Sequence, residues 1–512
     1  MKKQAKGIIA LSAVLAAMLG GGFAYMKLNP GEEAGSKRGG ESSTSPTLLA
    51  TEARGQGTVL VSDNGETGTV KSVTVKNSSG EYTVVMKSGP DKEKNTGATY
   101  TLDGFTDLDV NTAMVGTLAN NANGMQAASL MAEGCADLSK YGLASPRAEA
   151  ELTYETGTRV KFFIGDITPS SSELTYFMLD DGSNDVYTVN TSTISNYLYG
   201  TKDFLEKTVL AKPSDDEMPE VESLRIERGD IDYDIFIKYD RDKTDAHAGG
   251  TSSPHILVEP TESYLAIEKS QDVVSGMFGL YASDIYAAHC TEADMAAAGL
   301  DDPFCKVTMA CDDGNTHVLL LSKEFTNDSG EKCTYGMLEG GKVIYIIDES
   351  SAKWLTVTPA DICSKIMIAS YVWNITELSA SGGGETVNFS ISPKDKDNIP
   401  DSPKSEDFDV TKNGEEFDTE RYRLFYSFLL SANAEEFALD APVPTGEPQV
   451  SVTIKDSQMG KTIKYDFYED TFMRSLIVID GKSKFYCTKA YVDTLIENIK
   501  RIGTGEDYIT TW

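Results

Sequence analysis

The sequence lacks the short motifs that mark most nucleotide-binding and hydrolytic enzymes. Its 512 residues contain no GxxxxGK[ST] loop, no HExxH pair, no GxSxG elbow and no dinucleotide-binding fingerprint after a strand. Histidine is also scarce, with only four residues: His247, His255, His289 and His317. Zinc usually needs His or Cys clusters at short spacing, so His247 and His255, in a polar Gly-rich insert, are interpreted as loop residues. We therefore predict no enzyme activity, no catalytic residue and no bound cofactor.

Cysteine is sparse, odd in number and without a CxxC pair. The seven residues are Cys135, Cys290, Cys305, Cys311, Cys333, Cys363 and Cys487. Cys305 and Cys311 share one face of a predicted strand and cannot bridge each other, while Cys305 could bridge Cys333 only if their strands are neighbours. Cys135 and Cys290 fall at matching places, which suggests equivalent buried small residues. Free, mostly buried thiols are the favoured interpretation, and a catalytic pair of Cys290 with the adjacent His289 is not favoured.

Acidic side chains do not form a convincing metal site. Four of them fall at positions one, three, seven and twelve of an EF-hand-like count: Asp395, Asp397, Asp401 and Glu406. Pro400 occupies the sixth position, where that loop needs glycine for its turn. A second group consists of Asp180, Asp181 and Asp185, and a hairpin turn accounts for it. No metal site is predicted.

Positive charge is in short supply. The chain has 46 Lys and Arg against 79 Asp and Glu, a formal net charge of −33. A surface this acidic repels phosphate backbones, so nucleic acid is excluded as an expected partner.

One long apolar run is present, at the N-terminus. Gly7 to Met26 is uncharged and follows Lys2, Lys3 and Lys6. This length suits a membrane-spanning helix, and basic flanking residues keep that end in the cytoplasm. We favour a single-pass anchor over residues 1–28 of a cell-membrane protein with an extracytoplasmic body. A cleaved secretory signal is the alternative.

Residues 29–57 are rich in Gly, Ser, Glu and Pro and are interpreted as a flexible linker. The remaining chain is long enough for several domains. A Gly-Leu step followed by a Tyr recurs along it: Leu143 and Tyr187, Leu300 and Tyr345, and Leu439, after an Ala, with Tyr486. Recurrence at nearly fixed spacing indicates duplicated units. We interpret the three Tyr as packing residues whose rings lie on a helix.

Each unit is predicted to open with two strands, continue with one long helix, add four strands and end in a short helix. The opening strands lie in 70–86, 221–239 and 375–391, and the long helices in 109–131, 270–289 and 418–439. Apolar residues three and four apart in these helices, such as Tyr281 and Ile285, form a stripe expected to lie on a sheet. The four later strands begin near Ala148, Cys305 and Gln449.

This order predicts an α+β fold with antiparallel sheets in tandem units. The expected domains are an α+β unit at 58–212, a second at 220–370 and a third at 371–512. Pro213 and Pro219 flank acidic residues at the first boundary.

The pattern resembles a bacterial family catalogued as domain of unknown function 4340. The resemblance rests on DLSKYGLASPRAEAEL at 137–152, IGD at 164–166, DVYTV at 185–189 and the N-terminal run. It is strong over 70–205, fainter in the second unit and faintest in the third. The family implies an envelope protein held by one N-terminal helix, often accompanying an ABC-type exporter and a gliding-motility-type auxiliary protein. No catalytic residue is established for the family.

Together these observations predict a non-enzymatic, membrane-anchored extracytoplasmic protein. Its expected role is protein–protein contact as an accessory component of an envelope ABC-type transport system. One alternative is a module that binds a cell-wall glycan or a small ligand in grooves between units. The other alternative is a hydrolase with a site not visible in the sequence.

Overall fold

A computed structural model of the chain describes residues 54–240 and 253–512, in which three antiparallel sheets follow one another along the sequence. The first sheet contains β1 Val70–Asn77, β2 Gly80–Ser88, β3 Thr99–Leu102, β4 Ser129–Ala132, β5 Ala148–Tyr154, β6 Arg159–Thr168, β7 Ser171–Leu179 and β8 Val186–Asn190. The second contains β9 Val221–Arg228, β10 Ile235–Tyr239, β11 His255–Glu259, β12 Ser263–Tyr264, β13 Asp284–Ala288, β14 Cys305–Cys311, β15 Thr316–Leu321, β16 Phe325–Thr326, β17 Lys332–Leu338 and β18 Val343–Asp348. The third contains β19 Ile375–Gly382, β20 Glu385–Pro393, β21 Phe408–Lys412, β22 Glu415–Phe417, β23 Glu436–Phe437, β24 Val450–Asp456, β25 Lys461–Glu469, β26 Arg474–Ile479 and β27 Lys482–Thr488.

Helices are few and mostly short. They are α1 Thr112–Ala122, α2 Thr191–Ile194, α3 Ile267–Val274, α4 Glu292–Ala297, α5 Pro359–Ile362, α6 Thr419–Leu429 and α7 Lys489–Thr504. None of the helices within the described ranges has the length and apolar composition that crossing a bilayer requires. The predicted anchor at 1–28 lies outside the described residues.

The strand order is the same in the three sheets. It reads β3-β2-β1-β5-β6-β7-β8-β4 in the first, β11-β10-β9-β14-β15-β17-β18-β13 within the second, and β21-β20-β19-β24-β25-β26-β27-β23 within the third. The extra strands β12 and β22 extend one edge, and β16 pairs with β17. All strand pairs among the described residues are antiparallel, so the expected antiparallel sheets are confirmed, and three such sheets with few helices are compatible with an α+β or a β-rich class.

Side-chain alternation explains why each sheet has two differently packed faces. On β8, Val186 joins a small cluster with Leu143, whereas its neighbour Tyr187 packs against the large core. The same split occurs on β18, where Ile344 and Tyr345 belong to different clusters. Because successive strand residues point to opposite faces, each sheet buries a large core under its helices and a small cluster on the other face.

The three long helices are shorter than predicted, and this prediction was wrong at the C-terminal ends. The segments 109–131, 270–289 and 418–439 form helices only up to Ala122, Val274 and Leu429, and the chain then turns into the edge strands β4, β13 and β23. Glycines with left-handed φ, Gly124 and Gly279 (both φ 79°), lie in two of these turns. Tyr281 is therefore 59% exposed, and Ile285 belongs to β13.

A short segment ahead of each sheet pairs with the loop that follows the helix of the same sheet. The isolated bridges are Val59 with Gln126, Thr208 with Tyr281, and Ile366 with Asn433. Backbone hydrogen bonds reinforce them, such as Val209 N to Leu280 O at 2.8 Å. Residues 55–57, the end of the predicted linker, belong to the first of these segments, since Gly57 N donates to Ala127 O at 2.9 Å.

In each sheet, the last residue of the first strand contacts the segment that closes the unit. Asn77 donates from Nδ2 to the carbonyls of Tyr197 and Tyr199, both at 2.8 Å, and so holds the closing segment of the first sheet. Arg228 does the same in the second sheet, donating to the Trp354 and Val357 carbonyls at 3.2 and 2.8 Å. In the third sheet the residue is Gly382, where a Cβ would lie 3.3 Å from Ile499 of α7. The element beside Gly382 is the long helix α7, whose interior carbonyls already accept hydrogen bonds within the helix. The residue at this position therefore has to be small, and it needs no side-chain donor.

Candidate functional site

The histidines that the sequence singled out do not assemble into a site. His247 lies outside the described residues. His255 was predicted to lie in a loop, and this was wrong, because it begins β11 and is buried. It donates from Nε2 to the Val221 carbonyl at 2.7 Å, and burial lowers its pKa. His317 packs edge-on to the Phe278 ring at 5.8 Å. Across residues 54–240 and 253–512, no three His, Cys, Asp or Glu side chains group closely enough to hold a metal ion.

The acidic groups are used in turns. Asp395 Oδ1 accepts from the backbone N–H of Asp397 at 3.1 Å. Asp181 accepts from Ser183 N at 2.9 Å, and Asp185 accepts from Gly134 N at 2.8 Å. These contacts satisfy backbone donors where the chain reverses direction.

All seven cysteines are free, and five of them are buried. Cys305 and Cys333 do not meet, because β15 separates β14 from β17. Cys135 and Cys290 do occupy corresponding places. The Cys135 N–H donates to the Asn184 carbonyl, just before β8, and the Cys290 N–H donates to the Lys342 carbonyl, just before β18. They are half-buried rather than buried. Burial raises the pKa of Cys290, whose thiol faces Met337 Sδ at 3.7 Å, so no thiol–imidazole pair forms with His289.

Two of the three marker tyrosines are equivalent, and the third is not. Tyr187 and Tyr345 pack against the large cores of their sheets. Tyr486 instead packs in the small cluster on the other face, while its neighbours Phe485 and Cys487 enter the large core. A shift of one residue in a strand moves a side chain to the opposite face, so the predicted equivalence of Tyr486 was wrong.

The Gly-Leu step and the IGD motif form one packing contact in the first sheet. Gly142 ends the short helix Leu138–Tyr141 with φ 69°, and a Cβ there would lie 2.4 Å from Asp166 Cγ. A Cβ on Gly165 would lie only 2.2 Å from the Tyr141 carbonyl oxygen. Both glycines are therefore needed, because a side chain at either position would overlap the opposite segment. The two sequence segments that carry the family resemblance thus pack directly against each other.

This contact is relaxed in the second sheet and lost in the third. Gly299 keeps φ 66°, but a Cβ there would meet only Ser322 at 4.0 Å, and Leu300 is buried in the small cluster. In the third sheet Ala438 directly follows β23 and is 3% exposed within the small cluster, whereas Leu439 lies outside that cluster. The predicted place of Leu439 beside Leu143 and Leu300 was therefore wrong.

A pocket lies between the second and third sheets, within the described part of the chain. Its volume is about 140 Å³. One wall comes from β11, β12 and the connection at 364–367, and the other from β25, β26 and β27. The apolar lining residues are Ile256, Ile366, Met367, Met459, Ile463, Ile479 and Phe485. Concave sites that combine apolar walls with placed polar groups are typical for small molecules.

Three lysines give this pocket its charge. Lys461, Lys482 and Lys484 line it together with Glu262 and Asp480. Burial, and then the charge of Lys482, lower the pKa of Lys484. Asp480 is engaged in its own turn, because its Oδ1 accepts from Lys464 N at 2.8 Å. The pocket therefore combines an apolar interior with a surplus of positive charge in a chain whose net charge is −33.

Sequence reasoning missed this pocket because its lysines have no motif. Lys482 and Lys484 stand two apart at the start of β27, where the pairing with β26 shifts register, so their spacing alone does not place them on one face. Lys461 joins them only through the pairing of β25, β26 and β27, and the other wall belongs to a different sheet.

A second polar cluster joins the region of the first sheet to that of the second. Asp107 binds Lys342 Nζ at 2.5 Å through Oδ2, and its Oδ1 lies 2.9 Å from His289 Nε2. The His289 ring also stacks near Phe105, with ring centres 4.9 Å apart. Hydrogen bonds from Lys342 and His289 hold the pKa of the Asp107 carboxyl well below its usual range.

We expect Asp107→Asn to lower the thermal stability of the chain at neutral pH, because it removes the charge that both basic partners face. A carboxyl with a lowered pKa in the folded state stabilises above its unfolded pKa, and this contribution is lost as the pH falls. The difference in Tm between wild type and variant should therefore shrink below about pH 4. Asp301→Asn, at an exposed acid outside the cluster, is the control. An equal loss in both variants at pH 7 would contradict the role of Asp107.

Comparison with known proteins gives a family match. Residues 101–303 match the family described as Domain of unknown function (DUF4340). The matched stretch runs from β3 to the loop before β14 and includes the close approach of Gly142 to Asp166 and of Gly165 to Tyr141. This match confirms the resemblance seen in the sequence over that stretch. Neither the curated proteins nor the solved structures compared with the chain give a match.

Proposed function

We propose that the chain is a membrane-anchored extracytoplasmic protein without catalytic activity, in which three tandem copies of one α+β unit present surfaces to a protein partner. The proposed partner is a component of an envelope ABC-type transport system. The N-terminal apolar run Gly7 to Met26 supports the anchor.

The repeated architecture supports the tandem copies. The three sheets share their strand order, the bridge ahead of each sheet, and the position of Asn77, Arg228 and Gly382. Three unrelated domains would have no reason to agree in all of these features. We infer duplication of one ancestral unit, in which each copy begins with its bridge segment, near residue 207 in the second copy and near residue 365 in the third.

The proposal of a non-catalytic protein rests on one observation, namely that the recurring residues serve packing and hydrogen bonding within the fold. Gly142 and Gly165 allow two segments to touch, and Asn77 and Arg228 tie closing segments to their sheets. These residues serve packing and chain closure, so the recurring positions describe a scaffold. Repeated scaffolds of this kind commonly serve binding.

Photo-crosslinking of the full-length chain in intact cells tests this proposal. Phe472, whose ring is 85% exposed between β25 and β26, is a suitable position for a photoreactive side chain. We expect crosslinks to transporter subunits, and digestion of the body by protease added outside the cells. A variant that lacks residues 1–28 should lose both results. A body that stays monomeric and uncrosslinked, or that is protected until lysis, would overturn the proposal.

The pocket between the second and third sheets favours a second candidate function, the binding of a small ligand. Its volume and apolar lining support this function, which does not compete with a role beside a transporter.

A further inference from the structure

The pocket between the second and third sheets has the size of a small aromatic or branched aliphatic group. Its volume is about 140 Å³. In another protein a wholly apolar cavity of about 150 Å³ binds benzene. An apolar body of about six heavy atoms therefore fits without rearrangement of the two walls.

The lysines of this pocket are available to a ligand. Within the part of the chain that the structure describes, Lys461, Lys482 and Lys484 form no ion pair, although acidic residues outnumber basic ones 79 to 46. Neighbouring lysines do pair, as Lys464 does with Asp466 at 2.9 Å. Lys461 and Lys482 are exposed, and Lys484 is half-buried near the like charge of Lys482 and the opposite charge of Glu262. Partial burial and the neighbouring lysine both disfavour the charged form of Lys484, so an anion placed beside these lysines would be stabilised.

From these two observations we propose that the pocket binds a small organic anion, with a benzene-sized apolar body between the two sheets and one carboxylate or phosphate group at Lys461, Lys482 and Lys484. This inference rests on the second candidate function and specifies its ligand class. The apolar body supplies most of the buried area, and the lysines select an anion over a neutral molecule.

Titration calorimetry on the full chain, with four probes, tests the class. Phenylacetate and phenyl phosphate carry the two anionic groups on the same ring, 2-phenylethanol is neutral, and acetate lacks the ring. We expect a dissociation constant of about 1 mM or tighter for at least one aromatic anion. We expect binding about tenfold weaker for the alcohol and for acetate. The preferred anion distinguishes a carboxylate from a phosphate ligand.

Matched variants locate the binding. Lys482→Gln and Lys484→Gln should each weaken the preferred anion about tenfold, because each removes one charged contact. Lys396→Gln, at an exposed lysine of the third sheet outside the pocket, should leave the affinity unchanged. If the alcohol binds as tightly as the anions, the anionic class is wrong while ligand binding stands. If none of the probes binds, or if Lys396→Gln has the effect of Lys484→Gln, the pocket proposal is overturned, and the crosslinking result remains an independent test of the partner.

Discussion

Arg228→Leu should lower the free energy of unfolding of the second sheet by about 3 kcal/mol, because two buried carbonyls lose their donor. The Arg228 side chain is 2% exposed and also pairs with Asp230 at 2.6 Å. Its guanidinium connects the end of β9 to the Trp354 and Val357 carbonyls. Leucine fills part of the space but cannot donate. Urea unfolding followed by the fluorescence of buried Trp354 would measure the loss, with Trp373 and Trp512 replaced by Phe.

Arg225→Leu is the matched control for this experiment. Arg225 lies three residues earlier on β9 and pairs with Asp234 and Glu259 at 2.6 and 2.9 Å, but its side chain is 33% exposed. Pairs near the surface contribute about 1 kcal/mol or less. A loss for Arg225→Leu as large as that for Arg228→Leu would show that the closing segment does not depend on the buried donor.

Gly165→Ala should destabilise the first sheet by about 3 kcal/mol, because the new methyl group would overlap a backbone oxygen. Its Cβ would lie 2.2 Å from the Tyr141 carbonyl oxygen and 3.0 Å from Leu143 Cγ. A backbone atom cannot move aside as a flexible side chain can, so the helix Leu138–Tyr141 must separate from β6. Amide hydrogen exchange should show faster exchange at the bond from Leu143 N to Leu138 O.

Gly97→Ala separates this overlap from the general effect of adding a methyl group. No atom lies within 4 Å of a Cβ at Gly97, and its φ is outside the left-handed region. Alanine there should be neutral or stabilise by up to about 1 kcal/mol, because it restricts the unfolded chain. Equal stability of the Gly97 and Gly165 variants would sink the account of the IGD motif as a packing contact.

The strands could be predicted from the sequence because their alternation is local. The prediction placed β5 at its observed bounds and located the opening pairs and the later strands of all three sheets. The ends of α1, α3 and α6 could not be predicted from apolar spacing, because Tyr281 and Ile285 continue a helical spacing beyond a turn. The edge strands after these turns are stabilised by pairing with distant strands such as β18.

The lost equivalence of the third unit has a similar cause. Leu439 and Tyr486 keep the sequence spacing, yet Ala438 and Phe485 occupy the packed positions. A one-residue change of register is invisible to a pattern of period two unless both faces differ in composition. The pocket lysines could not be predicted, because the two walls of the pocket come from segments about 200 residues apart.

The bridges that precede each sheet decide where the chain can be cut. Lys207 and Val209 already bond to Ala282 and Leu280, so the second repeat starts near residue 207, well ahead of the proline-flanked acidic stretch. An excised fragment that starts at Glu220 would lack this bridge segment. The backbone groups of residues 280–282 would then be unpaired, and the fragment would be prone to self-association. Fragments of the protein made for crystallisation or binding assays should include these bridge segments.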